Sequence, residues 1–212
     1  RPAIERTPVN TGAVVESAAG LAGRPGGPLG VVADAVLGEL ERVLHAYVAR
    51  LRSDPATPSA HVATEAQVED HLATFLGDLA GTLHQLDGVD AGGSTPGDEP
   101  VQVVRDATAI QRVVAERHGV QRARLGWSEQ EVRREFTILR EELAAAVRRR
   151  ATAQGRGASG SPGAADLERA LDVLGDFIAG AERMSLASFR ASAQGSPTAG
   201  QDAAGEREER PT

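Results

Sequence analysis

Apolar residues in this chain recur at spacings of three and four, stretch after stretch, and that period confines what it can fold into. Ala33, Val36, Leu40, Leu44, Tyr47 and Leu51 share one face of a helix over Leu29–Ser53. Val68, Leu72, Phe75, Leu76, Leu79, Leu83 and Leu86 form a denser stripe on a second helix, opening at Thr64 and ending near Asp87-Gly88. A third helix, Val101 to about Leu125, aligns Val103, Ala107, Ile110, Val114, His118, Gln121 and Leu125. A fourth starts at Ser128, carries Val132, Phe136, Leu139, Leu143 and Ala146 inward, and ends at Arg148-Arg149-Arg150, where positive charge suits the helix dipole. The fifth runs from about Ala164 to Ser192 through Leu174, Phe177, Ile178, Ala181 and Phe189. Long stripes of this kind are buried against one another, so the expected fold is all-α: an antiparallel bundle of about five long helices with disordered termini.

Composition and local signals agree. Aromatic residues are only 3% of the chain, and the core must come from Leu, Val, Ala and a few Phe, which favours helices over sheets. Thr64/Gln67 and Ser128/Glu131 each have the spacing of a capping box, in which two side chains satisfy orphan amides reciprocally. Pro- and Gly-rich segments at Ser53–Ala60, Asp87–Pro100 and Ala151–Gly163 punctuate the helices, with Ser161-Pro162 suited to open the fifth. The expected organisation is a linker or upstream tail over 1–28, a helical sensory or interaction domain over 29–192, and a disordered tail over 193–212.

Several function classes are excluded. With no Cys there is no disulfide, thiolate zinc site or cysteine nucleophile. All 23 basic residues are Arg, which rules out Schiff-base chemistry and a phosphate-loop lysine. Gly23–Gly27 therefore forms no phosphate loop. The net charge of −7 disfavours nucleic acid. That charge is uneven: residues 101–150 hold 11 Arg against 7 acids, a net of +4, and the remainder of the chain is −11. A basic helical pair in an acidic body points to internal ion pairing or a protein partner. No apolar run reaches the roughly 18–20 residues of a membrane span, and no signal peptide is visible. The expected setting is cytoplasmic, without membrane contact. The chain opens at Arg1 rather than Met, so a piece of something longer, or a processed product, is expected.

The candidate site lies in the third and fourth helices. His118 sits on an apolar face beside Gly119, whose missing side chain permits close approach of another backbone or of a flat ligand. His118 then has two readings. One is a heme or tetrapyrrole ligand, or a proton-sensitive switch near neutral pH. The other is a buried histidine hydrogen-bonded to a carboxylate such as Glu135. Phosphotransfer fits poorly, because His118 lies on the apolar side. Glu135 and Arg140 are five residues apart and do not pair along one helix. They can instead bridge to the third helix through Arg122 or Glu116. Trp127, at the turn, reads as a plug over the bundle end. His45, His71 and His84 lack the recurring Glu-x-x-His pairs of a di-iron bundle, and no metal is expected. The candidate sensing and packing cluster is thus His118, Gly119, Arg122, Trp127, Glu135, Phe136 and Arg140, with no catalytic residue among them.

The run ERHGVQRARLGWSEQEVRREFTILREEL resembles the RsbRD-type N-terminal domain. In that family a helix with a histidine and arginines leads through a short turn into an "rEy..LR" helix. His118, Arg122, Gly126, Glu135, Phe136, Leu139 and Arg140 stand at the matching positions. Val68–Leu83 resembles the family's preceding helix, and Glu182–Arg190 its closing helix, so the likeness spans roughly Leu29–Arg190. The resemblance implies a non-catalytic, all-helical input or dimerisation domain of bacterial stressosome co-antagonists or sensor histidine kinases. Its partner would be a signalling protein in a two-component or stress-response pathway. Independently of the resemblance, exposed stripes on the first and fifth helices would build a homodimer. The alternatives are a fragment of a sensor histidine kinase whose activity lies outside these residues, and a heme or tetrapyrrole sensor using His118.

Overall fold

The computed structural model describes residues 27–69, 71–88, 99–154 and 163–195. These form α1 (Pro28–Gly38), α2 (Leu40–Ser53), α3 (Pro58–Val62), α4 (Glu65–Glu69), α5 (Leu72–Gly88), α6 (Glu99–Arg124), α7 (Glu129–Gln154) and α8 (Ala164–Gly195), with no strand among the described residues. The fold is all-α, as the apolar period requires. Most of the expected 1–28 and 193–212 tails, the 89–98 part of the first long loop, and Ser161-Pro162 lie outside the described residues. So do the side chains of Val103, Ala107 and Ile110.

Two of the expected long helices are divided. The first breaks at Glu39, which takes φ −112° and ψ 9°. Its backbone is still satisfied, since the Glu39 amide donates to the Ala35 carbonyl and the Glu39 carbonyl accepts from Val43. The second helix opens with its capping box intact: Thr64 N–H donates to Gln67 Oε1 at 2.9 Å, and Gln67 N–H donates to Thr64 Oγ1 at 3.3 Å. It then stops at Glu69, and α5 resumes at Leu72. The fourth helix does not end at Arg148-Arg149-Arg150 but runs on to Gln154. Those arginines act sideways rather than as a helix terminus. Arg148 pairs with Glu168, Arg149 with Glu39, and the Arg150 guanidinium lies 3.5 Å from where a Cβ on Gly38 would stand.

The turn between α6 and α7 follows directly from its residues. Gly126 adopts φ +76°, the left-handed conformation that favours glycine. Gly126 N–H then bonds the Ala123 carbonyl at 3.1 Å, and Trp127 N–H reaches the Arg122 carbonyl at 3.0 Å. This is a Schellman C-cap. One residue later the second capping box starts α7, with Ser128 N–H to Glu131 Oε2 at 2.7 Å and Glu131 N–H to Ser128 Oγ at 3.2 Å. Glu131 also accepts from the Ser59 amide at 2.7 Å, fastening α3 to the start of α7.

Helix α7 is zipped to both neighbours by ion pairs. Along α2 the partners are Arg50 to Glu141 and Glu142, then Asp54 to Arg134. Along α8 they are Glu129 to Arg190, Arg133 and Arg140 to Glu182, and Arg148 to Glu168. In both sets the numbers rise on one helix as they fall on the other, so α7 runs opposite to α2 and to α8. Beneath the ion pairs the stripes of the other helices are buried as expected, with Leu51, Leu76, Leu79, Leu83, Leu143 and Ile178 showing no appreciable exposure. On α6 the buried positions are instead Gln111, Ala115, Gly119 and Arg122, and the expected Val114, His118, Gln121 and Leu125 are only partly buried. Among the described residues the exposed large apolar side chains are Leu37, Val62 and Val113, on three different helices. The first and last long helices therefore keep no exposed apolar stripe among the described residues. Nor is any helix among them long and apolar enough to cross a membrane.

Candidate functional site

Glu135 is the hub of the structure. Its side chain is 2% exposed, on the inward face of α7. Side chains from two other helices converge on it. Arg122 on α6 donates Nε to both carboxylate oxygens at 3.1 and 3.0 Å, and Nη2 to Oε1 at 2.6 Å. Tyr47 on α2 donates its hydroxyl to Oε1 at 2.5 Å. His118, one helical turn before Arg122, places Nε2 3.1 Å from Oε2.

Arg122 does more than neutralise the carboxylate. It is itself fully buried, and its Nη1 and Nη2 donate to the Gln67 and Val68 carbonyls at 2.6 and 2.9 Å. These carbonyls end α4, where a helix leaves its last carbonyls without an internal partner. One guanidinium thus closes the broken second helix and holds the carboxylate of α7. Its flat face lies over Trp127, 4.4 Å from the ring centroid, a cation–π contact. In the Schellman cap, residues in the positions of Arg122 and Trp127 usually make an apolar contact. Here a stacked guanidinium replaces it.

Charge states follow from this packing. Burial alone would raise the Glu135 carboxyl, but the Arg122 guanidinium and His118 outweigh it and hold it well below the usual carboxylate range. Burial and the adjacent Glu135 carboxylate push the Tyr47 phenol well above its ordinary value, so it remains a donor. At the N-terminal end of α7, hydrogen bonds from Arg190 and Arg133 hold the Glu129 carboxyl down at about 2.

A pH prediction follows with a definite sign. The native Glu135 carboxyl is depressed, so its contribution is complete above the ordinary glutamate value of about 4.3 and is lost progressively as pH falls below that value toward the depressed native one. Between the two the unfolded chain binds a proton that the native state refuses, at a slope of about 1.4 kcal/mol per pH unit. Urea midpoints at pH 7 and pH 3 measure this. Glu135→Gln should begin less stable than the natural chain and lose less between the two pH values.

The sequence-selected residues separate into three groups. His118, Arg122, Trp127, Glu135 and Phe136 come together, with the Phe136 ring edge-on to His118 at 5.7 Å between centroids. Gly119 faces elsewhere on α6, against α8. A Cβ there would stand 2.0 Å from the Ser185 carbonyl oxygen and 3.0 Å from the Phe189 nitrogen. The close approach allowed by its missing side chain is therefore made by a backbone. Arg140 stands apart from the cluster, half-exposed and paired with Glu182 at 3.2 Å. Glu135 takes Arg122 as its bridge to the third helix.

Sequence reasoning misses Tyr47 as a member of the site, together with the Gln67 and Val68 carbonyls. Tyr47 carries a signal: a phenol on an otherwise aliphatic stripe requires a buried partner for its hydroxyl. The carbonyls carry none, because they become acceptors only where α4 breaks.

Beside the network lies a cavity of about 40 Å³, lined by residues including Tyr47, Phe75, His118, Glu135 and Leu139. Pockets for ligands of drug or cofactor size run to roughly 300–1,000 Å³. The tetrapyrrole reading of His118 does not fit this space, and Nε2 is already engaged by Glu135. Among the described residues no group of His, Asp and Glu is arranged to hold a metal ion. Compared with protein-family models, curated proteins and solved structures, the chain matched none, so the site stands on its own geometry.

Proposed function

We propose that the chain is a non-catalytic helical input module of a bacterial signal-transduction protein, in which helix packing around Glu135 biases a partner's output. The observation that carries this is the single carboxylate joining α2, α4, α6 and α7, through Tyr47 and through Arg122. A buried polar network has few satisfied arrangements, so it divides helix packing into discrete states rather than a continuum. A ligand or partner that prefers one arrangement shifts the population toward it. Five staves, two of them jointed, would pass the change along α8, which contacts both α6 and α7. The partner is a protein of a kinase or stress-response pathway, and the setting is cytoplasmic. Kinase activity, if the chain belongs to a sensor histidine kinase, lies outside these residues.

The module acts as a homodimer in this reading. Sedimentation across a wide concentration range tests it. The expected result is a reversible monomer–dimer equilibrium. A strict monomer at every concentration overturns dimerisation as the means of output.

A further inference from the structure

The cavity beside Glu135 lies where α2, α5, α6, α7 and α8 meet. Tyr47, His118 and Glu135 form one wall, and their hydrogen bonds run to one another and to Arg122. The remaining lining is chiefly apolar, including Phe75, Ala115, Phe136, Leu139 and Ala181, with Glu69 and His71 as its other polar members. At about 40 Å³ the space exceeds what a water needs, roughly 10–15 Å³, and falls well short of the roughly 150 Å³ cavity that admits benzene. Water would need two to four polar partners there. The Tyr47 hydroxyl and the Glu135 carboxylate already direct their bonds within the network. An apolar occupant disturbs none of those bonds and gains dispersion contacts with every lining side chain.

We propose that this cavity is a binding site for a compact apolar molecule of a few heavy atoms, the size of a dissolved gas or a small halocarbon. The inference rests on the input-module reading, since an occupant touches α5, α7 and α8 together beside the hub that sets their packing. It assigns the class of ligand that such a module would sense.

Xenon is the probe. Under moderate xenon pressure, methyl resonances of Ala115, Leu139 and Ala181 should shift saturably. Filling the space from either wall, by Ala181→Leu or Ala115→Leu, should abolish the shifts. Absence of shifts in the natural chain, or identical shifts in a folded filled variant, overturns the site. Should neither filled variant fold, Leu139→Ala decides. Benzene is then expected to raise the melting temperature of that enlarged variant and not that of the natural chain. Benzene without effect on either overturns the proposal. These readouts are independent of assembly: a chain that binds xenon yet never self-associates retains the cavity and loses the dimer.

Discussion

Replacing Glu135 with alanine should lower stability by about 3–5 kcal/mol, the cost of leaving a buried charge without its partner. Arg122 has no exposure, and its guanidinium would keep the two carbonyls of α4 and its stacking on Trp127 but lose the carboxylate. The Tyr47 hydroxyl would lose its acceptor at the same time. For a chain of this size each kcal/mol moves the melting temperature by about 2–4 °C. Removing the charge from both sides, with Arg122→Met and Glu135→Leu together, should cost less than the two single changes summed, by roughly 0.5–3 kcal/mol. The paired variant still leaves the Gln67 and Val68 carbonyls unsatisfied, so it does not return to the natural stability. Urea denaturation of the singles and the pair gives the coupling. Strict additivity would show that Arg122 and Glu135 do not act as a unit.

Gly119→Ala is the second large effect. Alanine is the better helix former by about 1 kcal/mol, so propensity alone predicts stabilisation. Geometry predicts the reverse. The new Cβ meets a backbone oxygen at 2.0 Å, and a carbonyl inside a helix cannot swing aside as a flexible side chain can. Helices α6 and α8 must separate at their crossing, and overpacking of this kind costs about 1–3 kcal/mol or more. Internal controls exist. At Gly77, Gly81 and Gly175 an added methyl would find nothing within 4 Å, so alanine there should be neutral or stabilising by about 0.5–1 kcal/mol. Parallel denaturation curves of Gly119→Ala and Gly175→Ala should move in opposite directions. Movement together would remove the close crossing as a constraint on α6.

The helical class, the inward stripes outside α6 and both capping boxes are legible in the sequence because each depends on residues within a few positions of one another. The turn at Gly126 is legible for the same reason. Of the site, the contacts of His118 and Arg122 with Glu135 can be anticipated from two consecutive helices joined by a short turn, but Arg122 and not His118 is the fully buried member. What cannot be read depends on distant segments. The breaks at Glu39 and after Glu69 lie where residues fit a continuing helix; the first is braced by Arg149 and Arg150, more than a hundred positions away. Arg140 does not belong to the cluster in which the sequence pattern places it. That pattern fixes its position on α7 but not which face of α7 meets which neighbour. The position of Glu182 on α8 decides that.

Position 122 shows how closed to drift a single site can become. The side chain there must reach a carboxylate and two peptide oxygens at once while lying flat on an indole. A planar fork with five hydrogens meets all of these demands. An ammonium, compact and strongly hydrated, meets one or two and offers no face to stack. The charge-preserving exchange to lysine, harmless on the outer surface of α6, is thereby barred at its core.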